Sequence, residues 1–88
     1  MFFIYIMYNL KHDKFYIGQT YSIKKRITEH KTGQGNYTSR YDGEWLYLYS
    51  ESFSTRAEAM QREKYFKSLK NKEYLKEFIR SQRNNKHA

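Results

Sequence analysis

Phe2-Phe3-Ile4-Tyr5-Ile6-Met7-Tyr8, then Asn9 to Lys14, then Phe15-Tyr16-Ile17-Gly18: this stretch decides the fold. Its two ends are β-branched and aromatic, a composition that fits a pleated, half-buried strand. The polar interval between them is turn-prone. Together they predict a β-hairpin with Tyr5 on one arm and Tyr16 on the other, Gly18 closing the second arm. Opposed side chains of antiparallel strands come within contact distance, so both phenols are expected at one site. Alternation does not fix the register, because both faces of the first arm are apolar.

The surrounding composition narrows the partners. A chain of 88 residues holds one small domain. Apolar residues are only 39% of it, offset by ten Tyr, six Phe and one Trp, which bury large areas each. Lys and Arg number 17 against 9 Asp and Glu, a net charge of +8. That excess favours a polyanion, most simply nucleic acid; the bland alternative is a solubilising surface. No long basic amphipathic segment suits a membrane surface. With no cysteine, disulfides and thiolate chemistry are excluded, which fits a reducing, cytoplasmic setting. The apolar start is short and interrupted by tyrosine, and is expected to be neither a signal peptide nor a membrane span.

Beyond the hairpin, Ser22 is an N-cap candidate and Gly33 a C′ candidate, enclosing a helix of about ten residues. Ile23 and Ile27 define its buried stripe, His30 continues it, and Arg26 lies at its edge four residues before His30. Thr32 to Gly43 reads as a loop. Trp45 to Ser50 reads as a third strand. Thr55-Arg56-Ala57-Glu58 has capping-box form, with Glu58 reaching back to the Thr55 amide and a helix running to about Leu69. Ala59, Met60 and Phe66 form its apolar stripe, and Glu63 falls within it. A carboxylate turned toward a core costs several kcal/mol, roughly, unless paired or bound to a cation. Two readings remain for Glu63: an i, i+4 pair with Lys67, or a metal ligand. A last helix carries Tyr74, Leu75, Phe78 and Ile79. Residues 1–79 are expected to form the domain and 80–88 a basic, frayed tail.

The order Phe3-Ile4-Tyr5, Tyr16-Ile17-Gly18, Arg26, His30, Glu63 resembles the GIY-YIG nuclease family in its compact, single-domain form. Three positions depart from that pattern. Phe3 replaces the first motif's glycine, Gln19 stands where some relatives have lysine, and Leu75 stands where many have asparagine, with Asn71 nearby. The proline that usually follows the loop is missing. The resemblance implies an α/β (α+β) fold, a three-stranded antiparallel sheet flanked by helices. It implies a metal-dependent DNA endonuclease using one Mg²⁺ or Mn²⁺ held by Glu63, in repair, recombination or mobile-element processing.

In the mechanism so implied, Arg26 clamps the scissile phosphate, and Tyr5 or Tyr16 takes a proton from the attacking water. Tyr5 is favoured as base, since Tyr16 beside a strand-ending Gly18 is better placed to orient the phosphate. His30 orients a tyrosine or the water. Gly18, Lys31, Tyr37, Thr38 and Arg40 are expected at the DNA, Tyr37 by stacking and the cations at phosphates. The alternative is an inactive nucleic-acid-binding module, or a subunit docking on a larger repair or targeting protein.

Overall fold

The computed structural model describes residues 1–31, 40–69 and 71–85, with the side chains of residues 30, 31 and 83–85 outside that description. In chain order the elements are β1 (Phe2–Asn9), β2 (Lys14–Thr20), α1 (Ile23–Lys31), β3 (Trp45–Phe53), α2 (Arg56–Ser68) and α3 (Lys72–Asn85). The strands form one antiparallel sheet in the order β2-β1-β3, so the most apolar strand lies in the centre. The α+β architecture expected from the sequence is the one observed.

β1 is buried on both faces because it is paired along both edges and covered above and below. Ile4, Ile6, Ala59, Phe66, Leu75 and Ile79 form the core on one face, beneath α2 and α3. Tyr5 and Met7 point the other way and are equally enclosed. The β1–β2 register pairs Tyr5 with Gly18 and Met7 with Tyr16. Between β1 and β3 the register slips after Ile6, where Ile6 faces Tyr49 but Met7 faces Tyr47. Leu48 is the extra residue, a bulge that lets β3 run on to Phe53, past the Ser50 end expected for it.

Caps start each helix. Ser22 Oγ accepts from the Lys25 amide, and Thr55 Oγ1 accepts from the Glu58 amide. The capping box is altered in detail: the Glu58 carboxylate accepts from the Thr55 hydroxyl at 2.8 Å and not from its amide. Asn71 Oδ1 accepts from the amides of Glu73 and Tyr74. Asn71 therefore begins α3, which runs past Ile79 through Arg80 to Asn85. Met60, expected on the buried stripe of α2, is exposed, as is Tyr74 on α3.

Two polar clasps tie the layers. Arg62 makes a bidentate bond to Glu51 of β3, at 2.8 and 3.1 Å. Its guanidinium also lies 4.5 Å from the Phe66 ring centre and 5.8 Å from that of Phe78. This arginine takes the place on α2 that an apolar residue would otherwise fill. At the hairpin turn, Asp13 adopts a left-handed φ of 53° and receives Tyr8 Oη, Lys72 and Lys76. Hydrogen bonds from Tyr8 and then Lys76 hold its carboxyl down to about 2.

Arg62→Ala removes both the bidentate pair and the cover over Phe66 and Phe78. It is expected to lower stability by about 1–3 kcal/mol, with Glu51→Gln costing less because the stacking survives. Urea unfolding followed by circular dichroism measures both.

Candidate active site

Gly18 is inside β2, not at its end as the sequence suggested, and its place there has a steric cause. A Cβ built on Gly18 would lie 2.6 Å from Tyr5 Oη and 2.9 Å from Tyr16 Cε1. Only glycine leaves room for the two rings to converge across the hairpin. Tyr5 lies opposite Gly18 and Tyr16 two residues before it on the same face, with ring centres 5.9 Å apart. The two phenols expected at one site are at one site.

α1 supplies the third member. Arg26 Nε donates to Tyr5 Oη at 3.2 Å, and its Nη1 donates to Glu29 at 2.8 Å. The hydrogen bond to Tyr5, and a further interaction with Tyr16, push the guanidinium above its ordinary value against the opposing effect of burial. Tyr5 has no exposed surface. Burial drives its phenol well above the ordinary value, more than the Arg26 hydrogen bond lowers it. Tyr5 is thus a protonated, enclosed phenol at neutral pH. Tyr16 is only half-buried, on the outer strand β2 of the sheet. The premise that favoured Tyr5 as base, a strand-ending Gly18, does not hold.

Glu63 is half-buried on α2, with its carboxylate 3.6 Å from Lys67 Nζ, one turn on. Lys67 in turn lines a groove of about 460 Å³ between β2 and α2. Among the described residues no three His, Cys, Asp or Glu side chains gather as a metal cage. Glu63 is a single carboxylate, and Mg²⁺ commonly takes one or two carboxylates with several waters and substrate phosphate oxygens.

The remaining expected residues fall as follows. His30 and Lys31 lie in the last turn of α1, and their side chains are outside the described ones. Tyr37 and Thr38 lie outside the described residues. Arg40 is exposed, two residues before Asp42, which bonds Lys11 and His12 of the hairpin turn. Glu29 was missed as a partner that fixes Arg26; the i, i+3 spacing of opposite charges was the available signal. Gln19 was missed as well. It buries its carboxamide oxygen with no hydrogen-bond partner among the described residues, an arrangement that costs roughly 1–3 kcal/mol.

Comparison with known proteins agrees with this geometry. The GIY-YIG catalytic domain model matches residues 1–76. The chain belongs to the GIY-YIG family. Among its relatives, UPF0213 protein YazA of Bacillus subtilis is 38% identical over 87 residues, covering 98% of this chain and 85% of the relative. A UPF0213 protein of Bacillus licheniformis is 46% identical over 65 residues, covering 70% of this chain and 67% of the relative. The solution NMR structure of UPF0213 protein BH0048 from Bacillus halodurans superposes with a TM-score of 0.54 at 29% identity, covering 93% of this chain and 85% of that one. The GIY-YIG family is a nuclease family, and its small single-domain UPF0213 members are the relatives of this chain.

Gly18→Ala is expected to force Tyr5 and Tyr16 apart and to destabilise the protein by about 1–3 kcal/mol, as overpacking does; urea unfolding checks it. The raised Tyr5 phenol has a linked consequence. A raised folded-state value contributes stability below pH ~10 that is lost as pH climbs above it. In ultraviolet titration of phenolate absorbance, the step missing from Tyr5→Phe should lie above pH ~10 and accompany alkaline unfolding. A step missing below it would contradict the burial argument.

Proposed function

We propose that this chain is a metal-dependent endonuclease that hydrolyses a phosphodiester bond in DNA. The observation that carries the reading is the convergence of Tyr5, Tyr16 and Arg26 about Gly18. Arginine carries five N–H donors, and the bonds to Tyr5 and Glu29 aim the Arg26 fork while leaving donors to face a phosphate. Its permanent charge opposes the negative charge that grows on the phosphate in the transition state.

Tyr16 is the general base in this reading. It is the more exposed phenol, and it lies beside Tyr5 and within reach of Arg26. Tyr5 is then a fixed positioning residue, orienting Arg26. His30 has the role of orienting the water or a tyrosine, and Lys31, Tyr37, Thr38 and Arg40 contact the DNA. Glu63 holds a single Mg²⁺ or Mn²⁺, which when bound neutralises charge on the phosphate. Repair, recombination or mobile-element processing is the setting that suits such a cut.

Single-turnover cleavage of labelled duplex, single-stranded, flap and branched DNA with Mg²⁺ tests this, alongside binding measured in EDTA. Glu63→Ala should abolish cleavage and leave binding intact, while Arg26→Ala should abolish cleavage and weaken binding modestly. Tyr16→Phe should lose about 10²–10⁴-fold in rate, the range of a lost general base, and Tyr5→Phe less. Wild-type cleavage by Glu63→Ala would assign that residue to its pair with Lys67 alone. Salt-sensitive binding with no cleavage of any substrate would make the chain a binding module.

A further inference from the structure

Beside Arg26 lies a second cavity, of about 330 Å³, between the end of β2, α1 and the start of α2. Its walls include Phe2, Gln19, Tyr21, Lys25, Arg26 and Arg56. Glu29 also borders it, and its carboxylate is engaged by Arg26. The side chains of Lys25 and Arg56 make no ion pair among the described residues. Tyr21 is 68% exposed, with its ring 5.0 Å from that of Phe2, which supports it from one side.

We infer that this cavity is a nucleotide subsite: it takes the nucleotide of the bound DNA strand next to the phosphate at Arg26. The inference rests on the reading of Arg26 as the residue that holds the scissile phosphate. Each part of a nucleotide has a matching wall. The flanking phosphate meets Lys25 and Arg56, two uncommitted cations. The base stacks on Tyr21, whose ring is held by Phe2 and open to solvent. The cavity falls within the ~300–1,000 Å³ range usual for small-ligand sites. A surface serving only solubility has no reason to set a supported, open aromatic ring beside two cations with no ion pair among the described residues. A base that stacks on Tyr21 has left its own neighbours, so the subsite takes a nucleotide drawn out of the stack.

The test is binding in EDTA, where the strand stays intact, read by fluorescence anisotropy on a labelled short oligonucleotide and a series with one abasic position moved along it. Wild-type protein should lose about 5- to 150-fold in affinity at one position, the equivalent of one base–aromatic stack. Tyr21→Ala should show that loss on the intact strand and no further loss at that position, while Tyr21→Phe, which keeps the ring, should bind as wild type. Lys25→Gln and Arg56→Gln should each lower the salt slope of binding by about 0.7, the value of one phosphate contact on a single strand. Equal affinity across the abasic series, or equal weakening of the whole series by Tyr21→Ala, would overturn the subsite. Cleavage of the same intact strand with Mg²⁺ separates the two readings. Cleavage without a position-specific loss removes the subsite and keeps the nuclease. A position-specific loss with no cleavage of any of the duplex, single-stranded, flap or branched substrates keeps the subsite and removes the nuclease.

Discussion

The phenol of Tyr5 occupies the space a side chain on residue 18 would need, and the geometry of the site depends on that overlap. β1 is paired on both edges, so Tyr5 cannot withdraw without breaking the centre of the sheet. Its buried hydroxyl needs a partner, since an unpaired polar group in the interior is costly. Arg26 supplies it, and the Arg26–Tyr5 bond ties α1 to that face. Glu29 holds the other side of the same guanidinium. A charged fork with its orientation set before any ligand arrives loses little on binding, which is the condition for electrostatic stabilisation of a transition state.

The same burial divides the work between two residues of one type. Tyr5 and Tyr16 share a face and nearly touch, yet they have different surroundings. Enclosure makes the first a poor proton acceptor and a good anchor. The second is half-buried on the outer strand β2. Two chemically identical groups acquire different environments from exposure alone.

How much of this was legible in the sequence follows the range of each signal. The hairpin, the Ser22 and Thr55 caps and the elements they begin were readable because their signals span a few neighbouring residues. Gly18 was misread as a strand end because its real constraint comes from Tyr5 on the facing strand. Met60 was misread as core because Arg62 covers Phe66 and Phe78 in its stead, and charged residues do not register as cover in an apolar pattern. Asn71 drew attention as a neighbour of the position where relatives carry asparagine; its carboxamide oxygen is committed to the amides of α3. The motif order picked out Tyr5, Tyr16 and Arg26, which the fold brings together, but their different exposures arise only on folding.

Net charge was legible as a total, and folding determines where it acts. Lys11, Arg62, Lys67, Lys72, Lys76 and Arg80 all have acidic partners within the protein. Their charges are locally offset, along α2, α3 and the hairpin turn. The side chains of Lys14, Lys24, Lys25, Arg40, Arg56 and Lys64 have no such partner among the described residues. Two of these six stand in the first turn of α1, which contains no acidic residue. Cations at a helix N-terminus oppose the helix dipole, by roughly 0.3–1 kcal/mol each. Stability alone would place Asp or Glu there. A fold that is capped with care at Ser22, Thr55 and Asn71 tolerates this arrangement at the one helix that also carries Arg26. Local rules are broken where a site needs them broken, and here the break sets unbalanced positive charge beside the residue that would meet a phosphate.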